Sequence, residues 1–460
     1  MPRGTTETTA ARLTNVGDVR IVNVMDVKAI NEHLLRGDTT APGLFPHLDE
    51  LEGARYRFDV TFGLERLPEA EGVLLIRGPR QYGKSTWLEA QLRETIEQHG
   101  PGSALYLNGD ELRDADALLG SLAELAAAFP RRAPIRRLFI DEITAVRDWQ
   151  RALKRTIDAG ELRGVLVVTT GSKATDLRRG SERLPGRKGR LERTSYIFTP
   201  VSYRSFLKAC GAELGANALT AYLLSGGCPV ACSALAEHGR LPEYVIEMIR
   251  DWIYGECAAA GRSRAALLAV LENLLKWGGT PVGQAKLARE ADLANNTIAA
   301  AYVELLADLL CVGQALAWDP AKKVGLPRRP AKFPFTNLLA AVTFSRARMR
   351  TVAEFETLPA AERGRWWEWL VAQELFRRAA LAGEESPERM HYWQSTEHEA
   401  DFVVDPAQFI EVKQGRTTAL DHAWFARSFP KANLRVVGAE RFETATVRGV
   451  TMEDFLLEVQ

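Results

Sequence analysis

Cysteine is scarce in this 460-residue chain: Cys210, Cys228, Cys232, Cys257 and Cys311 are the whole supply. None stands in a paired C-x-x-C array, and the neighbouring histidines lack ligand spacing. That excludes a disulfide framework, argues against a zinc site and leaves free thiols in a reducing compartment. Long apolar runs are missing too. No stretch approaches the roughly 20 residues that span a bilayer, so no membrane partner is expected. The opening MPRGTTETTAARLTNVG is polar and has no apolar signal core, so a cytoplasmic protein is expected. Net charge is absent as well, with 59 Lys plus Arg against 59 Asp plus Glu. No global field steers the chain to nucleic acid, and any basic surface must be local.

What is present is ordinary globular material. Apolar residues make up 46% and charged residues 26%, enough to build cores without staples. The length predicts about three domains. Residues 1 to about 18 carry few large apolar groups and read as a disordered tail. From about residue 72, the apolar runs GVLLIRG, SALYLNGD, RRLFIDE and GVLVVTTGS alternate with helical patterns such as STWLEAQLRETIEQHG. This alternation predicts βαβ units and a parallel sheet, and runs apolar on both faces predict helices on both sides. Beyond about residue 200 the pattern is helical. A later helix, GRWWEWLVAQELFRRAALAG, leads into MHYWQ, ADFVVD, QFIEVKQG and LRVVG, a separate small α/β unit.

The first strand runs into Gly78-Pro79-Arg80-Gln81-Tyr82-Gly83-Lys84-Ser85, followed by Thr86. This is G-x-x-x-x-G-K-[ST] between a strand and a helix, the context a phosphate-binding loop requires. The glycines let consecutive N–H groups face a phosphate, and the helix adds its positive end. Lys84 is expected on the β- and γ-phosphates of ATP, with Ser85 or Thr86 on Mg²⁺. RRLFIDE ends in Asp141, expected to hold Mg²⁺, and Glu142, expected to polarise the attacking water as general base. The next strand ends in Thr169, Thr170, Gly171 and Ser172, and Ser172 is the candidate sensor of the γ-phosphate or the water. In the Arg-dense DLRRGSERLPGRKGRLER that follows, Arg187 is the best single candidate for an arginine finger or sensor. A DNA-facing loop and a plain solvated loop are the other readings of that stretch.

GPRQYGKST, LFIDEITAVRDWQ, VVTTGSKATDL, LPGR, YIFTPVSYRSF and LSGGCPVA occur in this order. Over roughly residues 70 to 415 the chain resembles prokaryotic AAA-like ATPases whose C-terminal region contains a restriction-endonuclease-like fold. The resemblance implies an α/β architecture. A parallel-sheet AAA+ P-loop NTPase core (71–200) would follow the N-terminal tail and leader (1–70). A helical lid (201–261), a winged helix (262–345) and a nuclease-like α/β domain (346–460) would come after it. In the winged-helix candidate LAREADLANNTIAAAYVELLADLLCVG, Asn295 or Asn296 can cap the second helix. Asn295, Asn296, Thr297 and Ala300 are the groove-facing positions, uncharged and weak for direct base readout. The family's Lys-x-Tyr-x-x-Asp stretch reads KFPFTNLLAAV here, with Thr336 and Asn337 near the expected Asp.

In the terminal unit, Glu411 and Lys413 of FIEVKQG share a strand face, and Asp401 starts the preceding strand. The bland reading is a solvated edge or an ion pair. The sharper one is a PD-(D/E)xK site: Asp401 and Glu411 converge on Mg²⁺ or Mn²⁺, and Lys413 manages the water or phosphate. The resemblance makes Glu368 the helix carboxylate that completes the site, with Glu374 the alternative and Gln414 accessory. Trp366, Trp367 and Trp369 read as core and interface residues. The leading expectation is an ATPase coupled to a metal-dependent DNA endonuclease. The alternatives are an ATP-driven regulatory switch, or a branched-DNA remodeller working as a homo-oligomeric ring, with an inactive nuclease-like domain.

Overall fold

A computed structural model describes residues 25–172 and 191–458 of the chain. Two helices come first, α1 (Val27–Arg36) and α2 (Pro46–Gly53). Asp26 caps α1, its Oδ1 accepting from Ala29 N at 2.7 Å. A parallel five-stranded sheet follows: β1 (Gly72–Arg77), β2 (Ala104–Asn108), β3 (Arg137–Asp141), β4 (Leu166–Gly171) and β5 (Ser195–Ile197), in the order β2-β3-β4-β1-β5. Helices α3 (Lys84–His99), α4 (Ala115–Ala128) and α5 (Trp149–Asp158) complete this unit. β1, β3 and β4 are buried almost throughout, as strands covered on both faces must be. The register pairs Arg77 with Gly171 and Ile140 with Thr169. The C-terminal ends of β1, β3 and β4 therefore lie side by side, and the residues just beyond them meet at one sheet edge.

The expected break at residue 70 is not a structural one. Asn31 of α1 exchanges two hydrogen bonds with the Tyr106 backbone, both 2.8 Å, which covers edge strand β2. Arg137 Nη2 donates to Leu67 O at 3.2 Å. The leader is part of the sheet unit.

A helical layer follows: α6 (Tyr203–Leu214), α7 (Ala218–Ser225), α8 (Pro229–His238) and α9 (Glu243–Ala259). Next come α10 (Arg264–Trp277), α11 (Gln284–Glu290) and α12 (Asn296–Asp308), then the hairpin β6 (Gln314–Asp319)/β7 (Val324–Leu326). Asn295 caps α12, accepting from Ile298 N at 2.9 Å, as expected of Asn295 or Asn296. Helix α13 (Leu338–Phe344) returns to the helical layer. After the short α14 (Val352–Glu356) comes the 23-residue α15 (Ala360–Ala382).

The terminal unit contains β8 (Arg389–Gln394), β9 (Glu399–Ala400), β10 (Phe402–Asp405), β11 (Gln408–Val412), α16 (Trp424–Ser428), β12 (Asn433–Gly438), β13 (Phe442–Glu443), β14 (Val447–Thr451) and α17 (Met452–Leu457). Its main sheet has the order β10-β11-β12-β14-β13. β10 and β11 form an antiparallel hairpin, and β11-β12-β14 run parallel. A separation at residue 345 does not match the pairing. β6 runs parallel to β8 within the sheet β7-β6-β8-β9, so one sheet spans the central and terminal units. Strand pairing of this range leaves no trace in local sequence.

Arg193, just before β5, ties the first unit to α15. Its guanidinium donates to Ala380 O at 2.7 Å and to Leu381 O at 3.1 Å, at the C-terminal end of that helix. It also lies 4.2 Å from the centre of the Tyr196 ring.

Candidate nucleotide site and terminal acidic cluster

The loop Gly78–Ser85 joins β1 to α3. Gly83 lies at φ 96°, a left-handed conformation in which a side chain would be strained. Lys84 is buried, and its Nζ donates to Gly78 O at 3.1 Å and Pro79 O at 2.8 Å. Burial lowers the Lys84 pKa, and the nearby Glu142 and Asp141 oppose that shift. Arg80 and Gln81 are exposed, while Ser85 and Thr86 are half-buried. Two loop positions play narrower parts than expected. Pro79 has no N–H and can offer only its carbonyl. The Tyr82 side chain is 1% exposed and turned into the protein against Cys228, Cys311 and Asn337, so only its backbone can meet a ligand.

Asp141 ends β3, and Glu142 follows in a left-handed turn at φ 45°. Thr170 Oγ1 donates to Asp141 Oδ1. Glu142 Oε2 accepts from Ser172 N at 3.0 Å and Ser172 Oγ at 3.1 Å. Thr169 instead bonds Leu74 O at 3.0 Å and holds the sheet together. Ser85, Asp141 and Glu142 open on a cavity of about 210 Å³, also lined by His47 and Glu89. The latter two were not singled out in the sequence. Glu89 holds His47 Nδ1 at 2.6 Å and accepts from the N–H groups of His47 and Leu48 at the start of α2. No motif announces them, because they meet only when α2 packs on α3. These residues fit a nucleoside triphosphate with Mg²⁺. The loop and Lys84 would hold phosphates, and Ser85 and Asp141 would hold the ion, which supplies charge neutralisation. Arg187 lies outside the described residues.

The terminal residues also converge, with an unforeseen partner. Asp401, between β9 and β10, is 5% exposed, and Glu411 on β11 is 3% exposed. Glu411 Oε1 pairs with Lys413 Nζ at 2.5 Å, while its Oε2 is buried without a hydrogen-bond partner. Lys332, 1% exposed, enters from the central unit. Its Nζ lies 2.8 Å from Asp401 Oδ1 and 3.4 Å from Glu368 Oε1. The second oxygen of Asp401 accepts from Val412 N at 2.9 Å. Burial alone would lower the Lys332 pKa; Asp401 and Glu368 outweigh it and hold the ammonium above the ordinary lysine range. Burial raises the carboxyls of Glu368 and Glu411.

This arrangement does not fit a divalent ion on Asp401 and Glu411. One Asp401 oxygen holds the Lys332 ammonium and the other accepts from Val412 N, Glu411 pairs with Lys413 instead, and no group of three or more His, Cys, Asp or Glu among the described residues is placed to hold a metal. Glu374 is not an alternative, since its carboxylate is spent on Arg377 and Arg378 at 2.8 Å. Gln414 lines a different cavity, with Trp367 and Met452. Trp366 and Trp369 are core, packed edge-to-face at 5.0 Å. Glu411 and Lys413 line a cavity of about 410 Å³ together with His398, Glu399, His422 and Trp424.

Residues 70–207 match the family described as an AAA domain. Within that stretch the loop, Asp141 and Glu142 stand together at one sheet edge. Among curated proteins, the chain is 25% identical over 199 residues to the uncharacterized protein MJ1544 of Methanocaldococcus jannaschii, covering 43% of this chain and 40% of that protein. It is 29% identical over 114 residues to the replication factor C small subunit of Methanothermobacter thermautotrophicus, covering 24% and 35%. The chain thus spans well under half the length of either relative. Among solved structures, the Walker-type ATPase PABY2304 of Pyrococcus abyssi superposes with a TM-score of 0.42 at 13% identity, covering 65% of this chain and 93% of that one. No helix among the described residues is long and apolar enough to cross a membrane.

Proposed function

We propose that the chain is an ATP-hydrolysing switch that acts on DNA through its central and terminal units. The observation that carries this reading is the convergence of Lys84, Asp141, Glu142 and Ser172 beyond the parallel strands. ATP would bind on the loop, and Glu142 would activate the water once released from Ser172. Two features support DNA as partner. The N-terminal end of α12 exposes Asn295, Asn296 and Thr297, in the manner of a winged-helix reader. The adjoining hairpin exposes Lys322, Lys323, Arg328 and Arg329, a local basic patch on a chain with no net charge. The terminal unit, with an antiparallel hairpin followed by parallel strands and a flanking helix, is read as restriction-endonuclease-like. In the test, Lys84→Ala abolishes ATP turnover, and duplex binding weakens with salt and with loss of Lys322 and Lys323. ATP turnover that survives Lys84→Ala in a clean preparation sinks the assignment.

A second reading is phosphodiester cleavage by the terminal unit. It is favoured by the Glu411–Lys413 pair on an open cleft and by the unpartnered Glu411 Oε2. A panel of duplex, single-stranded and branched DNA with Mg²⁺ or Mn²⁺, wild type against Lys413→Ala, decides it. Nicking lost in the variant supports cleavage, and no nicking by either protein supports the switch alone.

A further inference from the structure

Lys332 opens the KFPFTNLLAAV stretch, where the sequence draws attention to Thr336 and Asn337 and gives the lysine no role. The structure makes that run part of a sheet. Lys332 N and O both bond Ala315 of β6 at 2.9 Å, and Val282 bridges to Ala331 on the other side. The backbone around Lys332 is thus fixed from two directions, and its side chain extends into the acidic cluster, buried among Glu368, Asp401 and the Tyr392 ring. The central unit closes a second side as well. Gly279, after α10, packs so tightly on Glu368 that a Cβ there would overlap the carboxylate. Two separate segments of one unit therefore cover carboxylates that belong to another.

We infer that the Lys332 ammonium is the resident cation of this cluster, a tethered charge that bridges Asp401 and Glu368 and competes with any divalent ion for Asp401. An ammonium offers three N–H donors and binds oxygens at ordinary hydrogen-bond distance, as it does with Asp401. A divalent ion binds carboxylate oxygens at shorter range, and at Asp401 Oδ1 it would have to share the oxygen with a like-charged ammonium only 2.8 Å away. Withdrawing the central unit, or removing the amine, is then the condition for metal to enter. The unpartnered, buried Glu411 Oε2 beside the cluster is the group such an ion would next engage.

The test is Mn²⁺ titrated into nucleotide-free full-length protein, with the free ion followed by electron paramagnetic resonance. Wild type and Asp401→Asn are expected to bind Mn²⁺ alike, because the site is already filled. Lys332→Met, close in length but uncharged, is expected to gain a site at least about tenfold tighter, the scale of one charge withdrawn at short range. Adding Asp401→Asn to that variant should abolish the gain. An Asp401-dependent Mn²⁺ site in wild type, unchanged by Lys332→Met, would overturn the inference. If Lys332→Met does not fold, Fe²⁺-generated hydroxyl radicals on wild type decide instead. Absence of backbone cutting between residues 399 and 412 supports the tethered cation, and cutting there refutes it.

Discussion

Arg193 offers the sharpest test of how the parallel-sheet unit is joined to the rest. Its guanidinium caps the end of α15 through the Ala380 and Leu381 carbonyls, which face the helix's partial negative end. Hydrogen bonds to a charged donor contribute roughly 1.5–3 kcal/mol each. Arg193 is only half-buried, so the lower end applies, and two such bonds come to about 3 kcal/mol. Arg193→Ala should lower the local opening free energy at the end of α15 by about that amount, which is roughly a hundredfold faster amide exchange. Residues 376 to 384 are the segment to follow by native-state hydrogen exchange. Arg193→Lys can satisfy one carbonyl but not the fork, and should lose about half as much. The reasoning fails if Arg193→Ala changes exchange there by less than about threefold (~0.6 kcal/mol). It also fails if Lys and Ala behave alike.

Three further outcomes are expected. Glu142→Gln should keep nucleotide binding, measured by equilibrium titration, while kcat for ATP falls by roughly 10²–10⁴ for loss of a general base. Glu374→Gln should destabilise the fold by about 3 kcal/mol in urea unfolding, because Arg377 and Arg378 then lose a buried anion, yet leave ATP turnover in place. All five cysteines are buried, and burial raises each thiol's pKa, so a thiol-reactive disulfide reagent should label none of them until the chain is unfolded.

The phosphate loop and its acidic partners were legible because local sequence dictates them: a strand, glycines, a helix start, and a strand ending in two carboxylates. That Glu411 and Lys413 come together was legible because strand alternation fixes which side chains share a face, whereas Asp401 was set beside them only by the D…E-x-K spacing. Lys332 was not. It opens the KFPFTNLLAAV stretch, whose family pattern gives the lysine no partner, and only pairing with distant β6 places it at the carboxylates. The short strand β5 escaped notice for a similar reason: three residues carry too little pattern to announce a strand. Glu374 and Glu368 lie on the same helix, and no local signal says which one the arginines a turn away will claim. Tyr82 stands inside a nucleotide motif, yet packing from the helical layer takes its side chain away from the ligand.

The pairing of β6 with β8 makes the last two units inseparable as parts. Cutting the chain near residue 345 would leave β6 and β8 each with an open strand edge, inviting aggregation or faulty re-pairing. It would also strand Lys332 on one fragment and its carboxylates on the other. A terminal unit excised by gene truncation or grafted onto another protein would arrive without its cation and half of a sheet. Any fragment that keeps this sheet whole has to carry both strands together.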